Sequence, residues 1–415
     1  MRSAHPSSAP ALVRPPSDGG PVKKRDCITL ALLAATAVAW LISPADSLAP
    51  ASAQEPTTVT TSKIPFDSVP DFLKYSPDMN LGEVLGIAVN SKGRIVVLNH
   101  PGSATTGPLY GNASSQLLEF DGATGRFVRE IGKGVYGLGY AHSVRFDKYD
   151  NLWVVDKGTH TVMRFNPAGY VTLNLGRRPE GPDEPEWFKG NGLGRAESRP
   201  APPHIDGYFR APTDIAFDSD DNLYVSDGYV NSRVAKFDKY GNWIKSWGSR
   251  GPGGTHATEN PGQFNTPHNI GIDRQNNVYV ADRNNRRIQV FDRDGTFKRF
   301  IVLNATYDKS RHPVLGPVNP NAPDETQPWT ICLSGGPTQY LYTSDSEPGR
   351  IYKLTLDGKI AGVLGESGHQ VGQFNWIHGL ACPSENVLWV ADMNNWRVQK
   401  LTLKPAGAAS TTASR

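Results

Sequence analysis

One pattern recurs six times along this chain, and that recurrence constrains the fold more than any other feature. Each copy reads as an apolar strand, a polar turn, a strand ending in Asp, and a strand opening with Arg and an apolar residue. The clearest copies are PTDIAFDSDDNLYVSDGYVNSRVAKFD from Pro212 and PHNIGIDRQNNVYVADRNNRRIQVFD from Pro267. Others start near His142, Trp329 and His378, and a degenerate copy runs from Leu85 to Asp121. Each continues into a fourth strand such as FVREIG (127–132), WIKSWG (243–248) or IAGVLG (360–365). Period-two alternation and Asp/Asn/Gly turns make each copy four short antiparallel strands. A single such sheet cannot bury both of its faces. Six of them packed radially give an all-β, six-bladed β-propeller.

The copies fill residues 80–403. The sixth stops after WRVQKLTL (396–403) and lacks a fourth strand. The N-terminal segment 54–79 contains DFLKYS (71–76), which is expected to supply that strand and close the ring. The tail 404–415 is rich in Ala, Ser and Thr and reads as disordered. Two insertions, 176–208 and 303–327, join blades two to three and four to five. Loops of that length are lids or surface decoration, and both readings stay open.

Residues 1–53 read as a targeting segment. Lys23, Lys24 and Arg25 precede an apolar run from Ile28 to Ile42, and Ala51-Ser52-Ala53 follows. These are the basic region, apolar region and small-residue site of a signal peptide. The run is short for a spanning helix, which needs about 20 apolar residues. The expectation is a secreted or periplasmic domain; an anchor left uncleaved at 28–42 is the alternative, and the only route to a membrane. Cys27 precedes the apolar run, so cleavage leaves Cys332 and Cys382, whose pairing the sequence leaves open. Beyond residue 53 the charges are 38 basic against 37 acidic. That balance lacks the cationic surplus of a nucleic-acid binder.

The repeat register exposes a candidate metal site. The second strands end at Asp156, Asp227, Asp282, Asp345 and Asp392, with Asn99 in blade one. Fourteen residues earlier stand Leu85, His142, Thr213, His268 and His378, while Trp329 fills the place in blade five, where the spacing is longer. Histidine therefore occupies one position in alternate blades. First strands line a propeller's channel, so three such imidazoles converge on one axis. Three His with a fourth place open is the ligand set of a catalytic zinc. His204, His256 and His312 lie in loops and read as solvated.

The same register separates scaffold from candidates. The recurring Asp reads as a partner for loop amides. Recurring Arg233, Arg287, Arg350 and Arg397 read as contacts between blades. Two residues break the repeat. Arg283 follows Asp282 where other copies have Lys157, Gly228, Ser346 and Met393, and Tyr229 lies two after Asp227. The second strand returns to the face where the first began, so both are expected beside the histidines.

The repeats resemble NHL repeats, and the whole set resembles the peptidyl-α-hydroxyglycine α-amidating lyases. The resemblance is most specific over PTDIAF…YVSDGYVNSR, FNTPHNIGID and VADRNNRRIQVF. It implies zinc held by His142, His268 and His378, a catalytic Tyr229, and Arg283 as an active-site cation that binds substrate. It implies cleavage of a carbinolamide N–C bond at a small-molecule or peptide C-terminal substrate, giving an amide and glyoxylate. Trp376 stands at the family's Met two before the third His and is taken as substrate-binding. Three further family features differ. The blade-one Arg is replaced in His100-Pro101-Gly102, the half-cystine after the Tyr is Val230, and the carboxylate used for calcium is Gly379. Calcium thus loses its carboxylate, and the substrate grip loses one charge. A different metal-dependent propeller hydrolase or lyase, and an NHL binding module without chemistry, are the alternatives.

Overall fold

The computed structural model describes residues 60–101, 115–177, 204–251, 259–309, 324–345 and 348–408. The targeting segment, Cys27, His256, His312, most of both insertions and residues 409–415 lie outside the described residues. No helix among the described residues is long and apolar enough to cross a membrane.

Six four-stranded antiparallel sheets form six blades. Blade four shows the pattern: Pro267–Ile272, Val278–Asp282, Arg287–Phe291 and Phe297–Ile301, hydrogen-bonded in that order. The first strands of the other blades are Glu83–Val89, Ala141–Phe146, Asp214–Phe217, Cys332–Leu333 and Ile377–Ala381.

Strand alternation puts the apolar cores between the blades. In Leu152–Asp156, Leu152 and Val154 pack in a cluster with blade one, while Trp153 and Val155 pack with blade three. Successive side chains of a strand point to opposite faces, so each blade serves two neighbours. Six such clusters, one per interface, complete the ring.

The ring closes on the N-terminal segment, but through a strand that begins at Phe66 rather than within 71–76. Phe66–Val69 pairs antiparallel with Arg397–Leu403, with Phe66 opposite Leu403 and Val69 opposite Lys400. Phe66 is buried in the cluster between blades five and six, and Ser68 donates to Gln399 Oε1 at 2.7 Å. DFLKYS instead covers the seam between blades six and one. Leu73 is buried there, and Phe72 meets Trp389 edge-on at 5.1 Å.

Cys332 and Cys382 form a disulfide between blades five and six, 50 residues apart in sequence. Closing a loop of that length removes unfolded-state entropy. Replacing both cysteines by Ala is expected to lower unfolding free energy by about 2–4 kcal/mol, read as a lower urea midpoint, with a steeper slope because the unfolded chain is no longer cross-linked.

The recurring Asp and Arg do structural work within their own blades. Asp282 Oδ1 accepts the Asn265 amide at 2.7 Å, and Asp392 Oδ1 accepts the Asn375 amide at 2.7 Å. Arg287 pairs with Asp282 at 2.8 Å and donates to Gln263 O; Arg233 pairs with Asp227 at 3.1 Å and donates to Tyr208 O. The expected contacts between blades are therefore clamps from each blade's third strand onto the connector entering that blade. A buried guanidinium needs its carboxylate nearby, and the strand-end Asp of its own hairpin is the nearest.

Candidate metal centre

Each histidine sits in a β-bulge of its blade's first strand. Pairing with the second strand slips between Ala141 and Ser143, between Pro267 and Asn269, and between Ile377 and Gly379. Leu85 occupies the same bulge in blade one, between Val84 and Gly86. A bulged residue leaves the ladder, which re-aims its side chain and frees its carbonyl.

The structure uses both consequences. His142 Nδ1 donates to Thr213 O at 2.7 Å, His268 Nδ1 to Trp329 O at 2.9 Å, and His378 Nδ1 to Leu85 O at 2.8 Å. Those acceptors are the equivalent residues of blades three, five and one. Alternate blades thus supply an imidazole and the carbonyl that orients the previous one. With the proton held on Nδ1, each Nε2 carries a lone pair.

The three rings meet on the axis. Centroids are 4.7, 4.7 and 5.0 Å apart, and one ligand atom from each ring lies within 4.8 Å of the others. This is the one converging group of three or more His, Cys, Asp or Glu among the described residues. Burial holds the imidazoles neutral: His142 and His268 titrate well below the usual histidine range, and His378 at about 3. His268 Nε2 is buried with no hydrogen-bond partner among the described residues. A buried lone pair without a donor is costly unless a cation takes it. The donor set therefore fits a metal ion, and three imidazoles suit zinc.

Both residues that break the repeat reach this face. The Tyr229 hydroxyl lies 3.1 Å from His142 Nε2. Burial pushes its phenol up, but the charges of Lys157 and Arg283 prevail and bring it below the ordinary tyrosine value. Arg283 follows Asp282 in a short 3-10 turn, its amide donating to Thr266 O at 3.3 Å. Its guanidinium lies 4.3 Å from the Trp329 ring centroid and 5.6 Å from that of Tyr229. Trp376 completes this wall, edge-on to Trp329 at 5.0 Å. It has φ +68°, as Thr266 (+58°) and Ala211 (+55°) do at the same repeat position, so the left-handed turn belongs to the blade rather than to the site.

Two site residues escaped the sequence reading. Lys157 stands in the same column as Arg283, and the signal was its charge there. The other is Arg145, three after His142. Its guanidinium pairs with Asp214 at 2.6 Å and donates to Asn269 Oδ1 at 2.8 Å and Ile331 O at 3.0 Å. It therefore runs from blade two across the channel to blades three, four and five, one layer below the histidines. Gly379, where the calcium carboxylate was expected to be missing, abuts Gly86: a Cβ there would come within 2.9 Å of the Gly86 Cα. The cation that joins the first strands here is Arg145. Arg145→Met leaves Asp214, fully buried, without its partner. The expected loss is about 3–5 kcal/mol of unfolding free energy, measured by urea denaturation.

Comparison with known proteins agrees with this architecture. The NHL repeat model matches residues 209–237 and 264–291. A Caenorhabditis elegans protein named as a probable peptidyl-α-hydroxyglycine α-amidating lyase is 24% identical over 327 residues, covering 68% of this chain and 85% of its own. The mouse peptidyl-glycine α-amidating monooxygenase is 26% identical over 339 residues; the match covers 78% of this chain but 30% of the mouse protein. A solved structure of a Bacteroides thetaiotaomicron protein of unknown function superposes with a TM-score of 0.51 at 16% identity, covering 84% of this chain and 75% of that one. The chain is an NHL-repeat, six-bladed propeller homologous to the peptidyl-α-hydroxyglycine α-amidating lyases.

Proposed function

We propose that this chain is an extracytoplasmic, zinc-dependent carbon–nitrogen lyase acting on α-hydroxyglycine-like amides. The observation that carries the reading is a phenol hydroxyl 3.1 Å from one of three converging imidazoles. Homology supports a related lyase activity at the coarser level. Export is supported by the 1–53 segment and by the disulfide, which persists in oxidising compartments.

His142, His268 and His378 would hold the metal, which as a Lewis acid makes a substrate hydroxyl easier to deprotonate. Tyr229, as phenolate, accepts the carbinol proton. The carbon–oxygen double bond then forms as the C–N bond breaks, and the electron pair leaves on the amide nitrogen. That nitrogen takes the proton from Tyr229, giving an amide and glyoxylate. Arg283 can hold the terminal carboxylate through two parallel hydrogen bonds. Trp329 and Trp376 wall the mouth and limit water.

The test is glyoxylate release from α-hydroxyhippurate by the full chain after zinc loading. Release is the expected result. Zinc bound with no glyoxylate formed would sink this substrate class and leave another metal-dependent hydrolase or lyase. Folded protein that takes up no zinc would leave an NHL binding module.

A further inference from the structure

The reading above gives one buried charge no contact with substrate. Lys157 is 8% exposed, and its ammonium makes no hydrogen bond or ion pair with any described residue. Burial pushes that ammonium below the ordinary lysine range. The adjacent carboxylate, Asp156, is committed to the amides of Tyr140 and Thr159 at 2.9 and 2.8 Å. Glu83, the other acid near enough to act on Lys157, is partly exposed to water. What Lys157 does touch is aromatic: its Nζ lies 4.0 Å from the Tyr140 ring centroid and 4.7 Å from that of Tyr229.

Lys157 is also the counterpart of Arg283. Both directly follow the strand-end Asp, and both donate their amides to the residue two before a metal-blade His: Lys157 to Tyr140 O at 3.1 Å, Arg283 to Thr266 O at 3.3 Å. The third member, Met393, donates to Trp376 O at 3.1 Å. Two of the three blades that offer imidazoles therefore also place a cation at this position, while in the third Met393 packs in the apolar cluster between blades one and two. Those cations flank one ring, Tyr229, at 4.7 and 5.6 Å. The buried Nε1–H groups of Trp329 and Trp376 have no partner among the described residues. Two cations beside one phenol and two buried N–H donors without a partner are matched by an anion, since each buried donor left unpaired is costly.

We propose that Lys157 is a substrate-binding residue that, with Arg283, clasps a carboxylate on the substrate beside the reacting carbon. The inference rests on the lyase reading for the identity of that carbon. It gives the carboxylate that leaves in glyoxylate a second cation. An amide or ester in the same place would leave the Lys157 ammonium without a counter-charge. Two point contacts at either side of Tyr229 also fix which side of the carbinol faces the hydroxyl.

The test compares binding of hippurate and its uncharged amide, hippuramide, to the full chain by calorimetry. Lys157→Met is expected to weaken hippurate about tenfold or more, while hippuramide is unchanged. Lys157→Arg is expected to restore most of the affinity. In turnover, KM rises in step with the hippurate Kd, which a merely structural role would not produce; kcat falls as well, because the Lys157 charge also holds the Tyr229 phenol below its ordinary value. Near-UV circular dichroism checks the fold, and Lys157→Gln serves if the Met variant unfolds. Equal hippurate affinity in wild type and Lys157→Met would overturn the proposal. So would wild-type protein that binds hippuramide as well as hippurate, or binds no hippurate. Absence of glyoxylate release from wild type would sink the lyase reading separately, because the binding comparison needs no turnover.

Discussion

His268→Ala is expected to abolish stoichiometric metal binding and, with it, all measurable turnover. Purified full-length protein should carry close to one zinc per chain by mass spectrometry of the metal, and His142→Ala, His268→Ala and His378→Ala should each lose it. The reason is geometric. The three donor atoms lie within 4.8 Å of one another and come from three blades, so no neighbouring side chain can replace one. His268 is the most informative of the three because its Nε2 has no other partner, whereas His142 Nε2 also meets the Tyr229 hydroxyl. The scaffold should survive the change. Each ring's other hydrogen bond goes to a single carbonyl. Retention of zinc by any two of the variants would show that the metal lies elsewhere.

Tyr229→Phe is the second large effect. Loss of the hydroxyl should cut kcat by about 10²–10⁴-fold, the usual range for a general base. Zinc content and stability should stay near wild type, because the ring remains packed and the imidazoles keep their carbonyl partners. Glyoxylate release at saturating α-hydroxyhippurate reads this directly. A loss confined to KM would instead make Tyr229 a binding residue. A loss of less than about threefold would remove it from the chemistry.

The histidines were legible because the repeat supplies an internal alignment. His142, His268 and His378 fall 14 residues before the strand-end Asp in every other copy. Tyr229 and Arg283 were legible as departures from that same alignment. Lys157 stood beside Arg283 in the column, yet a lone Lys after a strand does not reveal whether it will be buried. Only packing against Tyr140 and Tyr229 did that. Arg145 looked like an ordinary polar residue of a half-buried strand. Its role rests on Asp214, Asn269 and Ile331, which are 69, 124 and 186 residues away.

The closing strand was mislocated for a related reason. Phe66–Val69 spans four residues, too few for alternation to distinguish it from DFLKYS, and its partner lies more than 300 residues downstream. The pairing of Cys332 with Cys382 was undecided because two cysteines fix no distance. Once blades five and six pack, their Cα atoms stand 6.2 Å apart, within reach of a bridge.

The sequence by itself determined the blade count, the strand order within a blade and the column that faces the axis. All three follow from local periodicity, which every copy states again. The tertiary structure decided the rest: the bulges that turn the histidines inward, the carbonyl from the next blade that fixes each imidazole, the strand that closes the ring, and the two cations on one phenol. These depend on atoms brought together across blade interfaces. A pattern of period two carries no information about what stands on the other side of one.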